Sequence, residues 1–113
     1  MIEKTILDYL NDQLEVSCYM ERPKDCPEQF VVLERTSGRK TNHLSNATFA
    51  IQSHAQSMLD AASLNELVKT AMESAVSLTN VFSVKLNSDY NYTNSMSFKG
   101  YRYQAVFFVI YKE

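Results

Sequence analysis

Between Thr48 and Leu78 the hydrophobic period of the chain changes once, and that change restricts the folds open to it. Over the first residues Phe49, Ile51 and Ser53 alternate with Thr48, Ala50, Gln52 and His54, the two-residue repeat of a half-buried strand. Met58 to Leu78 then contains no Gly or Pro. Leu64, Leu67, Val68, Ala71, Ala75, Val76 and Leu78 recur at three- and four-residue steps, which is one face of a helix. Ser57 stands at the junction with Asp60 three positions on, the hydroxyl and carboxylate pattern that starts a helix. A strand joined to a helix by so short a link lays that helix across its own sheet. The remaining segments have to supply the sheet.

They read as follows. Ile2, Ile6, Leu7, Leu10 and Leu14 predict an amphipathic helix over about residues 2–13, with Glu3 suited to the dipole at its start. A short strand follows at Val16–Met20, then a polar crossover in which Pro23 and Pro27 fit neither a helix interior nor a central strand. Phe30–Thr36 is nearly all apolar at its start and reads as a central strand. Ser37–Asn42 is a polar, positively charged turn around Gly38. Leu44–Ala55 returns antiparallel and leads into the long helix. Val81–Asn87 alternates as a half-buried strand, Ser88–Tyr92 reads as an irregular aromatic loop, Thr93–Phe98 as an edge strand, and Gly100 as a break. The last strand, Tyr101–Tyr111, is apolar on both faces toward its end, so it is either central or covered by another subunit. The whole is one α+β domain over residues 1–113, an antiparallel sheet of four to five strands with two helices packed on one face.

Composition excludes several functions. A net charge of -2 and a pI near 5.7 give no footprint for direct nucleic-acid binding. Two glycines in the chain leave no room for a phosphate-cradling loop. No apolar run is long enough to span a membrane, and Met1-Ile-Glu-Lys-Thr lacks a leader's apolar core, so synthesis and retention in the cytosol are expected. Cys18 and Cys26 are expected to be reduced, partly buried thiols, with a single bridge between them as the alternative. His43 and His54 do not fall at ligand spacing with them, so no metal and no cofactor is expected.

No catalytic constellation emerges. Ser57 beside His54 suggests a nucleophile pair for a small cytosolic hydrolase, but the orienting carboxylate and Gly-flanked elbow are missing, and an N-cap accounts for the serine. His43 and His54 read as surface or capping residues. Asp60, Glu66 and Glu73, with Lys69 between them, read as the solvated face of the long helix. Two features point instead to an interaction surface: the basic cluster Arg35, Arg39 and Lys40 at a hairpin tip, and the aromatic stretch holding Tyr90, Tyr92, Phe98, Tyr101 and Tyr103 with Arg102. Tyr with Asn and Ser is a composition of protein-binding surfaces.

Segment order and local strings together resemble a family. After the first helix come Val16-Ser-Cys-Tyr and Arg22-Pro23-Lys-Asp-Cys-Pro27-Glu-Gln-Phe30-Val-Val-Leu-Glu34-Arg35-Thr36-Ser-Gly38. The Phe49-Ala-Ile-Gln-Ser-His-Ala55 strand, an Ala-rich helix and the Tyr101-Arg102-Tyr103 strand follow. Over nearly its whole length the chain resembles the tail-terminator, or tail-completion, proteins of long-tailed bacteriophages and prophages. Ser37 precedes Gly38 where relatives often carry two glycines, a departure that bears on the turn and not on the fold. The resemblance implies a structural protein of the virion tail, assembled in the bacterial cytoplasm. It implies a ring, usually of six copies, that caps the tail tube, halts its growth and joins it to the head-tail connector protein. Partners implied are further copies of the chain, the tail-tube protein and the connector. A head-completion or neck component is the alternative of the same kind.

Overall fold

The change of period at Ser57 is realised as an eleven-residue strand followed, two residues later, by a sixteen-residue helix. The computed structural model describes residues 1–41, 44–93 and 100–112. In chain order these form α1 (Ile2–Gln13), β1 (Cys18–Tyr19), β2 (Phe30–Arg39), β3 (Ser45–Ala55), α2 (Met58–Glu73), a 3-10 turn at Ser74–Ser77, β4 (Val81–Asn91) and β5 (Tyr101–Tyr111). The five strands make one sheet in the order β1-β2-β3-β5-β4. Every pairing is antiparallel except that of β1, which runs parallel to β2. The architecture is α+β, with two helices on one face of a mostly antiparallel sheet.

Register decides which side chains meet the helices. Leu33 lies opposite Ile51, Ile51 opposite Ala105, and Phe49 opposite Phe107. These residues therefore share a face with Val31 and Val109, and Ile2, Ile6 and Leu10 of α1 and Leu64, Val68 and Met72 of α2 close over it. Burying each large side chain of this core is worth about 1.5–3 kcal/mol. Two polar contacts hold the layer in place. The Tyr9 hydroxyl donates to the Ala71 carbonyl across the helices at 2.6 Å. The Asn11 amide accepts from the Cys18 N–H at 2.9 Å and donates to the Cys18 carbonyl at 3.2 Å, so one side chain satisfies the backbone that a two-residue strand leaves over.

The structure corrects several boundaries, that of β1 among them, which spans Cys18–Tyr19 where Val16–Met20 was expected. β2 continues through Ser37 and Gly38 to Arg39, where a turn was expected; a bulge between Arg35 and Ser37 lets the strand bend and go on pairing with β3. A Cβ on Gly38 would meet the Asn46 carbonyl oxygen at 2.5 Å, so this glycine serves close backbone approach. The second helix stops at Glu73, and Ser74–Ser77 tightens into the 3-10 turn. Ser88–Asn91 belongs to β4, because cross-strand pairing with β5 outweighs the turn-forming composition. Thr93 lies outside the strands, and the rest of the expected Thr93–Phe98 edge strand falls outside the described residues, as does His43. The last strand is central, between β3 and β4.

Candidate functional site

The opposite face of the sheet carries no helix among the described residues. Val32, Ala50, Val106, Phe108 and Ile110 lie on it by register, with Phe108 36 % exposed. Toward the end of the sheet where β2 begins, four polar side chains join in a ladder. The Tyr90 hydroxyl accepts from Gln104 Nε2 at 2.5 Å, Gln104 Oε1 accepts from Gln52 Nε2 at 3.1 Å, and Gln52 Oε1 lies 3.1 Å from His54 Nε2. Because Gln52 Oε1 can only accept, His54 must donate from Nε2, which fixes its neutral tautomer. Tyr90, partly exposed to solvent, ends the ladder on β4.

His54 is buried and its ring lies flat on Phe30, with centroids 4.4 Å apart and planes 6° from parallel. The expectation of a surface or capping histidine is therefore corrected. Burial, and next the nearby guanidinium charges of Arg22 and Arg102, push its pKa down to about 4. Arg22 sits over Phe30 at 5.6 Å, and Arg102 sits over Tyr92 at 4.3 Å while donating from Nε to the Tyr92 carbonyl at 2.7 Å. Tyr90 and Tyr92 meet edge to face, 5.7 Å apart. A band of aromatic rings, amides and two guanidinium groups thus crosses the sheet from Arg22 to Tyr92.

The expected interaction residues are only partly brought together. Tyr90, Tyr92 and Arg102 form one end of the band. Tyr101 is exposed opposite Ala55, on the register of the helix-covered side, and Phe98 lies outside the described residues. The basic cluster is split. Arg35 turns toward the helices, its Nη1 3.5 Å from Glu3 Oε2, whereas Arg39 opposes Asn46 on the open face and Lys40 is exposed beyond it. The bulge between Arg35 and Ser37 separates them. Phe30, Gln52 and Gln104 carried no signal of their own; alternation assigned Gln52 and Gln104 to faces, but only the register joins them.

No protein-family model matches the chain, and no curated protein does.

A further polar cluster lies on the helix-covered side. Asp89 of β4 takes hydrogen bonds from Asn65 Nδ2 and Lys69 Nζ of α2, each at 2.6 Å. Burial works against the Asp89 charge, but the Lys69 and Asn65 hydrogen bonds and the Lys69 charge outweigh it and hold its pKa below the usual carboxylate range. The hydrogen bonds that Lys69 donates to Asp89 and Glu66 raise its own pKa. This cluster pins α2 to the outermost strand. Ser57 accepts from the Asp60 N–H at 3.1 Å, the N-cap role its position implied, and His54 is engaged with Gln52 and Phe30 instead. Both cysteines are free thiols. Cys18 is buried, which lifts its pKa to about 12, and Cys26 is exposed where partial burial was expected.

Proposed function

We propose that the chain is a tail-terminator subunit of a long-tailed bacteriophage or prophage. Copies of it form a ring at the end of the tail tube, stop tube growth and present a surface to the head-tail connector protein. The observation that carries this reading is the sheet face that no helix covers among the described residues, lined by Val106, Phe108 and Ile110 and crossed by the Arg22-to-Tyr92 band. A small domain that leaves one side of its sheet apolar and aromatic is built to be covered by another protein surface. The sequence resemblance, which spans nearly the whole chain, supplies the setting. Ser57 is engaged as the cap of α2 and His54 with Gln52 and Phe30.

Electron microscopy of tail tubes assembled with and without the purified chain tests the proposal. The expected result is a ring at one tube end and a narrow length distribution only when the chain is present. Tubes of the same lengths in both preparations overturn it. Retention by purified connector with no effect on tubes assigns the chain to the neck instead.

A further inference from the structure

The charges of the two layers are opposite in sign. Asp8 and Asp12 of α1 and Asp60, Glu66 and Glu73 of α2 are exposed on the helical side, where Lys4 offsets Asp8 at 2.9 Å and Lys69 serves two carboxylates at once, leaving the carboxylates in excess. Register places Arg39, Lys85 and Arg102 on the open sheet face against the carboxylate of Glu34, and Glu21 and Arg22 lie together beside Glu34 at one end of it. The apolar surface is divided likewise. Leu59 is 75 % exposed and Leu67 59 % exposed on the outward side of α2, beside Glu66 and Glu73. Phe108 lies in the sheet row directly beside Lys85, and Ile110 in the next row beside Asn46 and Arg39.

We infer that the open sheet face of one copy packs against the outward side of α2 of the next, a head-to-tail contact between unlike surfaces. The inference rests on the ring reading above and names the surfaces that would make the ring. Two sheet faces brought together oppose Lys85 and Arg39 to their own copies, and two helical sides oppose carboxylates. Only the mixed pairing sets opposite charges around Phe108 and Leu67. Such a heterologous contact uses a different patch on each side and so repeats around a closed ring. A contact of ordinary size takes about 800 Å² from each partner, so each copy would bury about a quarter of its 6815 Å² surface in its two contacts.

Disulfide trapping tests the contact, with Cys26→Ser as background. Leu67→Cys and Phe108→Cys chains are prepared separately, mixed at high concentration and also assembled onto tail tubes, then oxidised mildly. The expected product is a disulfide joining one Leu67→Cys chain to one Phe108→Cys chain, at least fivefold above either variant alone. Adding Lys85→Glu to the Phe108→Cys chain lowers that yield at low salt. A disulfide between two Phe108→Cys chains, or no intermolecular disulfide in either preparation, overturns the inference. Rings seen on tubes without the mixed disulfide reject these surfaces and leave the terminator function standing. A mixed disulfide in solution with no ring on tubes does the reverse.

Discussion

At the scale of single residues, His54 has the clearest consequence. It is harder to protonate in the folded chain, at about 4, than its ordinary value of 6.5. As pH falls through that window the unfolded chain takes up the proton first, so the stability from burying a neutral ring is present above about 6.5 and lost toward 4. Urea midpoints at pH 7 and pH 5 are expected to differ, and His54→Phe, which keeps a ring against Phe30, is expected to flatten the difference. Asp89 is the second such residue. Asp89→Ala leaves the buried Asn65 amide and the Lys69 ammonium without the carboxylate, and is expected to destabilise by about 1–3 kcal/mol in urea denaturation. Neither role was legible in the sequence. His54 depends on Phe30, and Asp89 on Asn65, through register and helix placement that no local pattern encodes.

Elements were more legible, because their signals are local. The period change at Ser57, the run without Gly or Pro, and the alternation of β3 and β5 state strand and helix directly. Ser57→Ala removes the acceptor for the Asp60 N–H and is expected to lower stability by about 1 kcal/mol, while Ser57→Asp retains most of it in the same denaturation assay. Where strands run past their expected ends, pairing is the reason. Ser37, Gly38 and Ser88–Asn91 have turn-forming composition, yet each lies alongside a strong partner strand and is drawn into the sheet. Gly38→Ala puts a methyl group against the Asn46 carbonyl, and a loss of about 1–3 kcal/mol is expected by thermal unfolding. The residue that marked a turn in the sequence is instead one that lets two strands close.

For the whole molecule, the sequence carried the α+β layering, since two amphipathic helices and alternating strands leave few other arrangements. The expected site residues fared less well. Tyr90, Tyr92 and Arg102 converge, but Arg35 and Arg39 are parted by one bulge, and no composition argument counts bulges. The polarity between layers was likewise hidden, because a net charge of -2 averages an acidic side with a basic one. Under the proposed function, Phe108→Ala is expected to lower the melting temperature by several degrees, because most of the ring is buried against the sheet, and to reduce retention of the ring on tail tubes about thirtyfold, beyond what the lost stability accounts for. That corresponds to an aromatic contact worth about 2 kcal/mol; sedimentation of tubes with labelled chain measures it.

The outermost strand carries a last consequence. β4 runs for eleven residues with its far edge unpaired among the described strands, yet its register slips between Val81 and Ser83 and again between Leu86 and Ser88, with Lys85 between the two slips. A straight margin of that length would template the addition of strand upon strand, the geometry of a fibril. Two kinks and the exposed charge of Lys85 deny it that template. The chain can thus expose apolar surface on the flat of its sheet while its rim resists amyloid growth.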